Sequence, residues 1–256
     1  MVALDIDGTL LDHENRLPQS VIDAVGAVVA AGVPVALSTG RPWDGSRPLV
    51  EALRLPPGQH VLSNGAVRVS YPPLDVLEQI TFDPSEVITR VLAEHPEATL
   101  AVEMIGRGFK VNRPFPEGEL AGEMVIVGID ELIAEPVTRV VVRDANASEQ
   151  DFIRLAHRVG MEGVSYFIGF TAWLDIAPEG IDKAFGLAAL CADLGIDAAD
   201  VLALGDGRND IEMLRWAGRG VALGDAPAEV RAAADHVTDR FADGGTVREL
   251  RRWFPG

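Results

Sequence analysis

The chain has 256 residues, 48% hydrophobic, 24% charged and 6% aromatic, with a formal net charge of −17. That length can bury one large core or two smaller ones, and the acidic balance argues against nonspecific binding to nucleic acid or an anionic membrane. Cys191 is the only cysteine, so no intrachain disulfide can form, and no run of about 18 apolar residues is present to span a bilayer. Asp5 interrupts the N-terminus too early for a signal peptide, so a cytoplasmic protein is expected.

Val2-Ala3-Leu4 is a short apolar run that delivers Asp5 to a strand end, with Asp7, Gly8 and Thr9 following. Alternation along a continuing strand would place Asp5 and Asp7 on one face. Two carboxylates held close need a cation or a shared proton, and an oxygen-rich site suits magnesium. The rival reading is a plain acidic turn, since Asp-Gly is a common turn pair. Ser20 is placed to cap a helix carrying Val21, Val25, Val28 and Val29, which Gly32 ends. Val33 to Leu37 is a second apolar strand, followed by Ser38-Thr39-Gly40-Arg41. Strand, helix and strand in this order make a parallel crossover, so Thr39 should emerge near Asp5 at the ligand-binding edge of an open α/β sheet. There Thr39 can donate a hydrogen bond, Gly40 allows close approach of an anion, and Arg41 can grip a phosphate or cap its own loop. His60 to Ser63 gives a third strand, with a tight turn at Asn64-Gly65.

From residue 67 to residue 174 the texture changes to many strands with no glycine-rich phosphate signal. Leu74–Thr81, Thr99–Ile105, Phe109–Val111, Thr138–Val142, Val164–Phe170 and Ala172–Ile176 read as extended. Pro84–His95, Asp130–Glu135 and Ser148–Val159 read as helical, and Glu117–Gly128 fits neither pattern. This is an inserted α+β domain, so the chain divides into 1–66, 67–174 and 175–256. Arg107, Lys110 and Arg143 are substrate-contact candidates by charge alone.

The first domain resumes at Pro178, and Lys183 heads an apolar helix through Leu187, Leu190 and Cys191. A cation at a helix start opposes the helix dipole, so a carboxylate cluster or an anion nearby explains it better than solvation does. Val201 to Leu204 is another strand. It delivers Gly205-Asp206-Gly207-Arg208-Asn209-Asp210, and Asp206 and Asp210 share one face if the next helix begins early. Val221–Leu223, Ala228–Ala234, Val237 and Val247–Trp253 complete the alternation.

These residues describe a phosphoryl-transfer site. Asp5 can attack phosphorus, and Asp7 can protonate the leaving oxygen and then activate water. Magnesium can neutralise the phosphate oxygens, while Thr39 and Lys183 bind them.

The four blocks Asp5-Ile6-Asp7-Gly8-Thr9-Leu10, Ser38-Thr39-Gly40-Arg41, Lys183 and Gly205-Asp206-Gly207-Arg208-Asn209-Asp210 together resemble the haloacid-dehalogenase (HAD) superfamily phosphatases, specifically the Cof-like hydrolase group. Ser63-Asn64-Gly65-Ala66 is similar to that group's segment just before the cap. The resemblance implies an α/β fold, a Rossmann-like HAD core with a central parallel sheet plus an inserted α+β cap. It implies Asp5 as nucleophile, Asp7 as general acid/base, Thr39 as phosphate-binding hydroxyl and Lys183 as charge stabiliser. The Mg2+ ligands it implies are the Asp5 carboxylate, the Asp7 carbonyl and the Asp206 carboxylate, with Asp210 ligating directly or orienting metal-bound water. Gly8, Gly40, Arg41, Asn64 and Asn209 fall on the phosphate side. The implied activity is magnesium-dependent hydrolysis of a small phosphorylated metabolite such as a phosphosugar, with no nucleic-acid or membrane partner. A phosphosugar mutase and a non-catalytic phosphometabolite-binding module are the alternatives.

Overall fold

The computed structural model describes residues 1–144, 164–168 and 173–255. Met1–Gly40, Ser46–Glu78 and Asp182–Gly256 form one compact unit, and Arg41–Gly45 with Gln79–Ile181 a second.

The chain begins with β1 (Val2–Leu4), α1 (Gln19–Ala30), β2 (Val35–Leu37) and α2 (Trp43–Ala52). The run Val-Ala-Leu occurs in both strands, and all six residues are buried. Burying a leucine such as Leu4 contributes roughly 1.5–3 kcal/mol. The α1 helix starts two residues earlier than a Ser20 cap implies. Pro18, in extended conformation, occupies the cap position, and no side chain caps the helix. Proline serves there because its fixed φ leads into the first turn. The α2 helix contains Gly45 and Pro48, which hide it from a propensity reading.

After α2 come β3 (Gly58–Leu62), β4 (Val67–Tyr71) and β5 (Asp75–Gln79). They form a separate three-stranded sheet in the order β3-β4-β5. The third strand of the sequence reading is therefore not a full member of the parallel sheet. In backbone pairing it is joined to β2 by an isolated parallel bridge between Ser38 and Val61. Because β4 pairs antiparallel with β3, the first unit runs on to Glu78 instead of stopping at residue 66.

The second unit contains α3 (Ser85–Glu94), β6 (Thr99–Met104), β7 (Gly108–Val111), β8 (Glu123–Ile126), α4 (Ile129–Leu132), β9 (Val140–Arg143), β10 (Val164–Ile168) and β11 (Trp173–Pro178). Its sheet order is β10-β11-β9-β6-β7-β8. One face buries Leu100, Val102, Val140, Val142, Leu174 and Ile176 with Val87, Ile88 and Val91 of α3. Alternate residues of these strands point one way, which is the period of a half-buried sheet. The expected α+β insertion is thus present. The helix expected over Ser148–Val159 lies outside the described residues.

The chain then returns to the first unit with α5 (Lys183–Leu194), β12 (Leu202–Gly205), α6 (Ile211–Trp216), β13 (Arg219–Ala222), α7 (Ala228–Ala233), β14 (His236–Val237) and α8 (Gly245–Trp253). The central sheet has the order β14-β13-β12-β1-β2, and all its pairings are parallel. Ala3, Ala36 and Ala203 pack in one core with Leu187, Leu190, Met213 and Leu214. Small residues on these strands let the flanking helices sit close. Polar chain is thereby displaced to the strand ends, where β1, β2 and β12 stop in register.

Candidate active site

The site is built where β1 and β12 end side by side. Leu4 pairs with Leu204, and the Asp5 N–H donates to the Leu204 carbonyl at 3.0 Å. Asp5 is buried. The chain does not continue as a strand beyond it. The Ile6 carbonyl accepts from the N–H groups of Thr9, Leu10 and Leu11, which turns the chain at once. Asp7 is consequently exposed, and the shared strand face expected for Asp5 and Asp7 does not form. Gly8 sits at φ +77°, and a Cβ there would run into the Asp206 carboxylate, so only glycine fits. Thr9 donates its hydroxyl to Asp206 Oδ1 at 3.3 Å.

Lys183, the first residue of α5, is fully buried. Asp182 caps that helix by accepting from the Phe185 N–H at 2.9 Å, which fixes where the lysine enters. Lys183 Nζ donates to Asp5 Oδ1 and to Asp210 Oδ1, both at 2.6 Å. Asp210 is held in place by a turn. Its Oδ2 accepts from the N–H groups of Asp206 at 3.0 Å and Gly207 at 2.8 Å. Asp206 and Asp210 therefore meet because the chain curls through the 3-10 turn Arg208–Asp210, and not because they share a helix face. Ligand oxygens of Asp5, Asp206 and Asp210 lie within 4.8 Å of one another.

The electrostatics follow from counting charges. Three carboxylates surround one ammonium. Burial, then the Asp210 charge, push the Asp5 carboxyl up to about 7 despite Lys183, with Asp7 adding to the effect. Burial and the charges of Asp5 and Asp210 push Asp206 up to about 8. Burial opposes the Lys183 ammonium, but Asp210 and Asp5 outweigh it and hold the lysine charged beyond its ordinary range. Such a cluster lacks positive charge. An all-oxygen, carboxylate-rich donor set suits a hard divalent cation, so Asp5, Asp206 and Asp210 fit the metal that the sequence implies.

The residues expected on the phosphate side form a second group. The Thr39 N–H donates to the Val61 carbonyl, and the Asn64 N–H to the Thr39 carbonyl, each at 3.0 Å. Asn209 Nδ2 donates to Asn64 Oδ1 at 2.9 Å. The Asn64 carboxamide lies against Gly40. Ser63 and Asn64 both adopt left-handed φ, 50° and 53°. Two such residues in succession store strain, and functional sites are where it is tolerated.

Arg41 belongs to the second unit, where its Nη1 donates to the Gly45 carbonyl at 3.5 Å. The charge-picked candidates are also engaged there. Arg107 pairs with Glu123, Lys110 with Glu131 and Arg143 with Glu119. Sequence reasoning missed Arg139, whose Nη2 donates to both oxygens of Asp175 at 2.6 and 2.9 Å. It also missed the buried His60. A lone histidine or arginine in an apolar run carries no pattern that would have revealed either. A cleft of about 950 Å3 in the first unit, lined by His236, Asp239, Arg248 and Arg251 among others, contains none of the expected site residues.

No described helix is long and apolar enough to cross a membrane. The family model of haloacid dehalogenase-like hydrolases matches residues 2–250. The chain is 27% identical to 5-amino-6-(5-phospho-D-ribitylamino)uracil phosphatase of Bacillus subtilis, covering 99% of this chain and 95% of that protein. Among solved structures, it is 28% identical to a phosphatase of the haloalkanoate enzyme superfamily from Bacteroides thetaiotaomicron, with a TM-score of 0.79 over 98% of this chain and 93% of the other. It also shares the fold of a HAD subclass IIB sugar phosphatase, with a TM-score of 0.85, 24% identity and 98% of each chain covered. These matches and the Asp cluster support phosphomonoester hydrolysis in general. The chain belongs to the haloacid dehalogenase-like hydrolases, in their Cof-like group.

Proposed function

We propose that this protein is a magnesium-dependent phosphatase of small phosphomonoesters, sugar phosphates among them, working through an aspartyl phosphate on Asp5. The observation that carries the reading is Lys183 Nζ at 2.6 Å from both Asp5 and Asp210, with Asp206 in the same cluster. A buried nucleophilic carboxylate fixed by a lysine is oriented for attack, and the cluster's missing positive charge suits a metal. Asp5, Asp206 and the main-chain carbonyl of Asp7 would hold the ion, with Asp210 bearing on it directly or through water. When bound, it supplies charge neutralisation for the phosphate oxygens.

In the first step an Asp5 oxygen bonds to phosphorus as the ester oxygen leaves, taking a proton from Asp7. In the second, Asp7 removes a proton from water, whose oxygen attacks phosphorus and returns Asp5 to a carboxylate with release of orthophosphate. Thr39 and Lys183 bind the transferred oxygens, and Asn64, supported by Asn209, borders them. The name of the Bacillus subtilis relative, a ribitylamino-phosphate ester phosphatase, supports a small polyhydroxylated phosphate ester as substrate.

The test is Asp5→Asn against wild type on a panel of small phosphate esters with magnesium. Phosphate release should fall by more than about 100-fold. Near-normal turnover by D5N, with deamidation excluded, overturns the assignment. Free phosphate as product means hydrolysis, while an isomeric phosphosugar would mean a mutase.

A further inference from the structure

The phosphate-side residues Thr39 and Asn64 hang on a thin seam. Their strands, β2 and β3, share the bridge between Ser38 and Val61. On one side of β2 the Ser38 N–H reaches the Leu4 carbonyl of β1 at 2.9 Å. N–H groups alternate sides along a strand, so those of Leu37 and Thr39 face β3. Thr39 finds a backbone partner there, the Val61 carbonyl. Leu37 finds a side chain instead, and its N–H donates to His60 Nδ1 at 3.2 Å.

His60 is fully buried. To accept from Leu37, Nδ1 must keep its lone pair, so the ring is neutral and carries its proton on Nε2. Burial pushes the ring's pKa down to about 4, consistent with that form. The Nε2 atom itself has no hydrogen-bond partner among the described residues. A buried orphan donor is costly, and a leucine would fill the space without one. What the imidazole supplies and leucine cannot is the acceptor that takes the Leu37 N–H.

We propose that His60 is a positioning residue for the phosphate-binding turn. Its neutral ring ties the last residue of β2 to β3 and thereby holds Thr39 and Asn64 in register. The inference rests on the phosphatase reading only in assigning those two residues to the phosphate.

The test uses the full chain and two variants. His60→Leu removes the acceptor and keeps apolar bulk. His60→Asn places a carboxamide oxygen near the position of Nδ1. Two measurements are made on each: amide hydrogen exchange resolved at Thr39, Asn64 and the β12 residues, and KM and kcat for p-nitrophenyl phosphate with magnesium. In H60L, exchange at Thr39 and Asn64 should quicken by about 10-fold or more while β12 keeps its protection, the mark of local opening. KM should rise by about 5-fold or more with a smaller change in kcat, because ground-state phosphate binding is what loosens. H60N should restore both. Equal acceleration across β12, or an H60N that behaves like H60L, overturns the proposal. If H60L does not fold, H60N decides alone, since loosened Thr39 and Asn64 amides in that variant also overturn it. A wild type that releases no phosphate would sink the phosphatase reading, and the exchange measurement would still decide the role of His60.

Discussion

Each unit holds buried charge on a sheet, and the two arrangements differ in kind. In the first, one ammonium serves Asp5 and Asp210, while Asp206 joins the cluster with the Thr9 hydroxyl on its Oδ1. In the second, Arg139 engages both oxygens of Asp175 and lies over the Phe109 ring at 5.9 Å. The second arrangement is a matched pair, of the kind that fixes how two strands sit. The first is mismatched by design of the chain, because carboxylates outnumber the cation and two of them are pushed to about 7 and about 8. Buried charge alone therefore does not mark a site. Excess of one sign at the ends of parallel strands does.

The largest effect should come from removing either cation. Lys183→Met leaves Asp5 and Asp210 buried beside each other, and breaking such a pair costs about 3–5 kcal/mol in denaturant unfolding. Arg139→Met should fall at the lower end of the same range, since Asp175 keeps some solvent contact. Activity separates them. K183M should lose turnover of a small aryl phosphate, and R139M should keep it near wild type per folded molecule. Equal loss in both would erase the distinction between site and architecture.

His60 extends the comparison to a buried base whose pKa is lowered by burial. Its folded pKa, about 4, lies below the ordinary 6.5. The unfolded chain takes up the proton first as pH falls. Stability is therefore full above pH 6.5 and is lost progressively as pH drops toward 4, by about 3 kcal/mol from this one group. Subtracting the H60N profile from the wild-type profile isolates it, and parallel profiles would refute it. Magnesium should act next in size. At about 100 times its dissociation constant it should add about 2.7 kcal/mol to the wild type. The gain should vanish in Asp206→Asn, and EDTA should abolish turnover until magnesium is restored.

The parallel core was legible because its strands are short apolar runs, each followed at once by a polar turn. Asp5, Thr39 and Asp206 announce themselves in this way, and Lys183 stands out as a cation at the wrong end of a helix. What stayed hidden depends on long-range geometry. No local pattern shows that the chain turns at Ile6 and parts Asp7 from Asp5, or that Asp210 reaches back to two amides. The β3-β4-β5 sheet was hidden because an apolar run such as His60–Ser63 suits a parallel or an antiparallel neighbour equally well. In the second unit the strands were legible by alternation, but their partners were not, and Arg139 and Asp175 meet only through the pairing of β9 with β11.

The smallest expected effect tests the charge excess most directly. In EDTA, Asp206→Asn should make the protein more stable, not less. The substitution keeps an oxygen to accept from Thr9 and nearly keeps the volume, so packing changes little. It removes a carboxylate whose folded pKa, about 8, lies well above the ordinary 3.8. For an acid shifted upward, the unfolded chain sheds its proton first, and wild-type stability falls as pH rises from about 4 to about 8. The asparagine variant has no proton to shed there. Its advantage should be near zero at pH 4, grow through neutrality and level off above pH 8. Asp5 can share protons with Asp206 and soften the penalty, so a plateau of about 1–2 kcal/mol is expected instead of the full shift. Thermal unfolding of both proteins in EDTA across that range measures it. A destabilised D206N throughout would mean that Asp206 is held by a favourable contact, and that the cluster has no excess charge for a cation to neutralise.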